Sequence, residues 1–158
     1  MTGKNERAII QIAPANATDV PALCQLLGVL FSQEAEFTAN PAAQSKGLSA
    51  IIDRPDLGHV FVARSDGDVV GMVSLLYTVS TALGGRVALL EDMIVSPGSR
   101  GAGIGAALLS HAIEFAQSQG CKRITLMTDR ENATAQRFYQ RHGFAASAMV
   151  PMRLIFEQ

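Results

Sequence analysis

No run of lysine or arginine occurs anywhere in the chain, and 13 basic residues against 14 acidic ones leave a formal net charge of -1. Nucleic-acid binding leaves a basic patch or stripe, so this balance argues against nucleic acid as a main partner. Long apolar runs are missing too. None approaches the roughly 18 residues a membrane span needs, which argues against a membrane partner. The first seven residues are polar and charged with no apolar stretch behind them, which is not the pattern of a secretory signal. Cysteine is scarce: Cys24 and Cys121 stand far apart with no metal-ligand spacing around them. Free thiols, a reducing cytoplasm and no metal site are the expectation. The three histidines, His59, His111 and His142, share no ligand spacing either and read as structural.

What is present suits one compact domain over residues 1–158, with 48% hydrophobic and 17% charged residues and enough length to bury a real core. Residues 7–13 alternate weakly and predict a first strand. Thr18 or Asp19 is placed to cap a helix running to about Phe31, with Leu23, Leu26, Leu27 and Leu30 on one face. A polar stretch with Glu34 and Glu36 follows, then a helix from about Pro41 that ends by Asp53. Residues 59–64 and 69–77 are strand-like and joined by a good hairpin turn at Ser65-Asp66-Gly67-Asp68. Gly84-Gly85 turns the chain into an apolar strand over residues 87–95. A helix to about Gln119, a short strand over residues 122–128 and a helix capped by Asn132 come next. One or two strands are expected in residues 144–156, and Met72, Met93, Met127, Met149 and Met152 read mostly as core filling. The order β-α-α-β-β-β-α-β-α-β predicts an α/β (α+β mixed) fold, a central mixed sheet flanked by helices with an antiparallel middle.

The chain is organised around Val87 to Ser110. Two carboxylates, Glu91 and Asp92, interrupt its apolar strand, and charge is expensive to bury without a purpose. The turn Ser96-Pro97-Gly98-Ser99 leads to Arg100-Gly101-Ala102-Gly103-Ile104-Gly105, which opens the helix. Three glycines let a ligand approach the backbone, and a helix start aims free N–H groups and positive dipole at an anion such as pyrophosphate. Three readings of this loop stand at this point. Gly101 to Ala106 satisfies the G-x-G-x-x-A dinucleotide fingerprint, with Asp129 at the end of the next strand. Its context is poor, because five residues separate the loop from its strand and an antiparallel meander precedes it. The glycines could instead serve tight helix–strand packing.

The third reading is a family resemblance. Arg100-Gly101-Ala102-Gly103-Ile104-Gly105 resembles the R-G-x-G-x-G/A acyl-CoA pyrophosphate loop of the GNAT superfamily of acetyl-CoA-dependent N-acetyltransferases. Asn132, Ala135, Phe138-Tyr139 and Gly143-Phe144 are similar to that family's N-x-x-A-x-x-F-Y-x-x-x-G-F signature. The detailed match covers residues 87–144. It implies a GNAT-like acyl-CoA N-acyltransferase fold and direct attack of a primary amine on acetyl-CoA in a ternary complex. The acceptor stays open among small amines, amino acids and peptide lysines, and a homodimer is one of the open oligomeric states because many relatives are dimers. The resemblance implies that Met93, Ile94 and Val95 pair with the pantetheine arm through their backbone. It also implies that Arg100, Gly101, Ala102, Gly103, Ile104, Gly105 and Ala106 hold the pyrophosphate, and that Asn132 and Phe138 contact CoA. Tyr139 matches the family's general acid; a phenol near pKa ~10 can reprotonate a thiolate whose acid lies near ~8.5. For the base, Glu91 is the first candidate, since Leu89 and Met93 share its face of a regular strand and apolar surroundings raise a carboxyl's pKa. Asp92 is the second, pointing to the opposite face unless a β-bulge intervenes. Glu34 and Glu36 fall in the segment that lines the acceptor side in this family, and a solvated loop explains them equally. A non-catalytic acyl-CoA-binding or sensory module and a Rossmann-type NAD(P) oxidoreductase are the alternatives.

Overall fold

In the computed structural model, which describes residues 8–34 and 36–156, the apolar periodicities fold into five strands and four α-helices. They run β1 (Ile10–Pro14), α1 (Val20–Gln33), α2 (Pro41–Ile52), β2 (Gly58–Ser65), β3 (Asp68–Ser80), β4 (Gly85–Val95), α3 (Ile104–Ser118), β5 (Ile124–Leu126) and α4 (Ala133–Arg141). The chain divides into two compact units, Met1–Met127 and Thr128–Gln158. All five strands belong to the first and form one sheet in the order β1-β2-β3-β4-β5. Every pairing is antiparallel except β4 with β5, where α3 provides the crossover. This is the expected mixed sheet with an antiparallel middle.

Side-chain alternation gives the sheet two buried faces. Val60, Val62, Met72 and Ile94 pack with Val20, Leu23, Leu26, Leu27 and Leu48 of α1 and α2. Phe61 lies on the opposite face, its ring edge-on to His111 and Phe115 of α3, and its register partner Val73 shares that face. The β2–β3 hairpin turns at Asp66 and Gly67, with φ of 49° and 92°. Two successive left-handed residues suit a tight hairpin because their twist matches the flanking strands.

Three expectations need correction. Neither Thr18 nor Asp19 caps the first helix through its side chain. Asp19 holds the N-cap position of α1 without a side-chain cap bond, and Asn16 caps the 3-10 turn Ala17–Asp19 that leads into it, accepting from Thr18 N at 3.0 Å while its own N–H donates to Asp19 at 2.9 Å. Asp19 is engaged elsewhere, accepting from Arg64 Nη2 through both carboxylate oxygens at 2.8 and 2.7 Å. The strand over residues 122–128 shrinks to Ile124–Leu126. Among the described residues no strand follows β5. Residues 144–156 find no neighbouring backbone to complete a ladder, and Pro151 has no N–H to offer one. The methionines differ accordingly: Met72 is fully buried, whereas Met127, one residue past the shortened β5, and Met149 and Met152, which no strand holds, are exposed. The predicted first strand began at Arg7, which lies outside the described residues.

Candidate active site

The strand with two carboxylates is not regular. Ser74 of β3 stands opposite Glu91, but Met72 stands opposite Ile94, so Asp92 and Met93 together face Val73. One extra residue in β4 makes a β-bulge, and Asp92 takes the left-handed backbone form it requires, with φ 54°. Aspartate is among the few non-glycine residues that adopt this form readily. Bulges re-aim side chains and are frequent beside active sites. This one cancels the strict alternation that would separate the carboxylates. Glu91 shares a face with its register partner Ser74, and Asp92 Oδ2 comes within 3.5 Å of Ser74 Oγ. The Asp92 carboxyl is pushed up to about 6, chiefly by burial and then by the charges of Glu91 and Glu34, with the Ser74 hydroxyl pulling the other way.

Beyond the bulge, β4 has one unshared edge. β5 pairs only with Ala88, Leu89 and Leu90, so among the described residues Glu91 to Val95 have a strand partner only in β3. Met93, Ile94 and Val95 lie on this stretch, with Ile94 buried in the core and its neighbours half-buried. An extended ligand that adds itself as a strand would find backbone groups here.

The glycine loop continues directly from that edge. A single 3-10 turn, Pro97–Ser99, precedes Arg100, whose Nε donates to Val95 O at 3.2 Å and ties the loop to the strand end. Gly101 and Gly103 both have positive φ, 85° and 77°, and a Cβ built on either would meet nothing within 4 Å. Tight helix–sheet packing is therefore not why they are glycines; the backbone form and the open space in front of it are. Gly103 is the N-cap of α3 and contributes no side-chain cap, and the first turn holds no acidic residue. The leading N–H groups of a 15-residue helix, those of Ile104, Gly105 and Ala106, precede its first intrahelical bond, Ala107 N to Gly103 O at 3.0 Å. Uncapped donors at a helix start, fronted by an open glycine cradle, fit a diphosphate.

The second unit carries the other expected site residues. Asn132 caps α4, its Oδ1 accepting from Ala135 N at 3.0 Å. Phe138 and Tyr139 are half-buried, with ring centroids 5.3 Å apart, and Phe144 lies 5.8 Å from Tyr139. The histidines have structural partners. His59 Nδ1 is 2.7 Å from the Tyr77 hydroxyl, His111 packs on Phe61, and His142 Nδ1 is 2.9 Å from Phe138 O. Cys24 and Cys121 are free thiols. A cavity of about 240 Å³ between α2 and the start of β2 is lined by Ile51, Ile52, Pro55 and His59 among others. It touches no residue of β4 or the glycine loop and gathers no reactive group besides that histidine.

Sequence reading missed Ser74. Its signal was a lone hydroxyl in the apolar run Val69 to Tyr77, where a buried polar atom needs a partner.

Comparison with known proteins places the chain's sequence and fold among acetyltransferases. Residues 22–144 match the sequence model of the Acetyltransferase (GNAT) family. An uncharacterised N-acetyltransferase of Bacillus subtilis is 30% identical over 138 residues, covering 85% of this chain and 89% of that protein. The aminoalkylphosphonate N-acetyltransferase of Salmonella typhimurium is 28% identical, covering 88% of this chain and 87% of its own length. Among solved structures, an acetyltransferase of Trypanosoma brucei superposes with a TM-score of 0.74 at 27% identity, over 94% of this chain and 100% of that one.

Proposed function

The chain belongs to the GNAT family of acetyltransferases, and on that premise we propose how its residues transfer an acetyl group to an amine. The family's acyl donor is acetyl-CoA, which supplies an acetyl thioester when bound. The family match runs through both units, which supports reading residues 1–158 as one acetyltransferase domain. Arg100 and the backbone of Gly101 to Ala106 hold the pyrophosphate, and the unshared edge at Met93, Ile94 and Val95 pairs with the pantetheine arm. Asn132 and Phe138 contribute to the same cofactor on the strength of the family motif.

The single observation that carries the mechanism is Asp92, a largely buried carboxyl at a strand bulge, raised to about 6. An alkylammonium acceptor has a pKa near ~10 and must lose a proton before it attacks. A carboxyl near 6 is ionised at neutral pH yet a stronger base than an ordinary aspartate, so Asp92 accepts that proton directly or through one water. Glu91 and Glu34 act as fixed negative charges that favour a cationic primary amine, small molecule or peptide. A backbone N–H of the 93–95 edge donates to the acetyl oxygen as charge develops there. Tyr139 donates its proton to the departing thiolate.

Comparing variants tests these roles. Asp92→Asn is expected to lower kcat/KM by roughly 10²–10⁴-fold, the usual worth of a positioned base, and Glu91→Gln by less. Near-normal turnover of Asp92→Asn with a collapse in Glu91→Gln would reverse the assignment. Tyr139→Phe should lower turnover with acetyl-CoA affinity nearly unchanged; an equal loss of both would make Tyr139 a packing residue.

A further inference from the structure

The bulge that aims Asp92 needs something to hold it. A strand that inserts one residue loses a rung of its ladder, and the inserted residue sits in a backbone form that costs a non-glycine residue on the order of 1 kcal/mol. The neighbouring strand supplies one polar side chain at this place. Ser74 is almost wholly buried, stands opposite Glu91 in the register, and places Oγ 3.0 Å from the Glu91 carbonyl oxygen and 3.5 Å from Asp92 Oδ2. We propose that Ser74 is a positioning residue: its buried hydroxyl is a clasp, in reach of both the Glu91 carbonyl and the Asp92 carboxyl, that serves one or the other as Asp92 changes protonation and so steadies the bulge that presents Asp92 to the acceptor.

The clasp rests on the assignment of Asp92 as base, and its chemistry matches a group that cycles between two states. A hydroxyl has one donor and two acceptor sites and rotates freely about its C–O bond. With Asp92 neutral, the Ser74 proton points to the Glu91 carbonyl, the shorter contact, and the Asp92 O–H can donate to the Ser74 oxygen. With Asp92 ionised, the Ser74 proton swings to Oδ2, which shortens because a charged acceptor makes the stronger bond. Ser74 thus bonds Asp92 in both states by rotating its hydroxyl alone, and bonds the Glu91 carbonyl while Asp92 is neutral. Opposing it are the like charges of Glu91 on the same strand and Glu34 at the end of α1. Alanine would leave these two uncompensated; threonine keeps the hydroxyl.

The test is direct titration of the Asp92 side-chain carboxyl by carbon NMR in the free, full-length protein, with the resonance assigned through Asp92→Asn. No acceptor or acyl donor is required. In the wild type the midpoint should lie near 6. In Ser74→Ala it should rise by roughly 0.5–1 in pH, the size of one ordinary hydrogen bond, and in Ser74→Thr it should stay at the wild-type value. Turnover in Ser74→Ala should fall at neutral pH and recover toward alkaline pH, with acetyl-CoA affinity unchanged. An unmoved midpoint in folded Ser74→Ala overturns the clasp, as does an equal rise in Ser74→Thr, which would trace the effect to packing. Full turnover of Asp92→Asn would remove the proposed base while leaving the midpoint comparison, and hence the clasp, to stand or fall separately.

Discussion

Asp92 is held where it costs the folded protein free energy. Well below its usual 3.8 the carboxyl is neutral in folded and unfolded chains alike. Between the usual 3.8 and the folded value of about 6 the unfolded chain releases its proton first, so stability falls as pH rises and the deficit is complete above 6. That interval corresponds to about 3 kcal/mol as an upper figure. Asp92→Asn removes the charge and keeps a side chain that tolerates the left-handed backbone. It is expected to be more stable than wild type at pH 7, by up to about 3 kcal/mol, with the advantage nearly gone at about pH 3. Urea unfolding at the two pH values checks this, and an equal or lower stability at pH 7 would contradict it. His59 has the opposite pH sense. Burial, and then the Arg86 charge, hold its pKa below 6.5. The unfolded chain therefore takes up a proton first as pH drops below 6.5, and this part of the stability is lost toward acid.

The elements that carry the site are fixed by a few contacts the sequence only half announces. α1 is anchored to β2 by Asp19, which is 5% exposed and bonded through both oxygens to Arg64. It also accepts from Asn16 N at the head of the helix. Removing one partner of a buried pair strands the other charge, so Asp19→Ala should lose about 3 kcal/mol, read as a lower urea midpoint with the same slope. A loss under 1 kcal/mol would mean that Arg64 finds water instead. The glycine loop behaves differently, since no atom lies where a Gly103 side chain would go. Gly103→Val should fold, weakened by backbone strain of about 1–2 kcal/mol, and should bind acetyl-CoA at least tenfold more weakly in calorimetry because the branched side chain fills the cradle. Normal binding by the folded variant would displace the pyrophosphate from this loop. Helix and strand existence was legible because periodicity and punctuation are local: Pro41, Asn132 and Gly120 mark ends that the structure keeps to within a residue or two. The bulge was allowed for by the family resemblance alone, not by the residues of the strand. It depends on how Ser74 and Met72 of one strand meet Glu91 and Ile94 of another, a pairing no single strand encodes.

Across the whole chain, the family and its chemistry were readable because they rest on short, ordered segments, the loop at 100–105 and the motif at 132–144, and the family match at 22–144 encloses both. The end of the chain was misread for the complementary reason. Residues 144–156 carry strand-like apolar content, yet Met149, Leu154 and Phe156 remain exposed, since strand propensity has effect only where a neighbouring strand completes the ladder. The acceptor was not legible because no motif in the chain specifies it. The relatives with named acceptors act on different amines. The most direct measurement is therefore the release of free thiol from acetyl-CoA by the purified protein, followed across diamines, amino sugars, amino acids and lysine peptides. Amine-dependent release, strongest with cationic primary amines and losing its acid limb near pH 6, is the predicted result. Acetyl-CoA binding without thiol release from any amine would contradict the account and leave a binding module in place of a transferase.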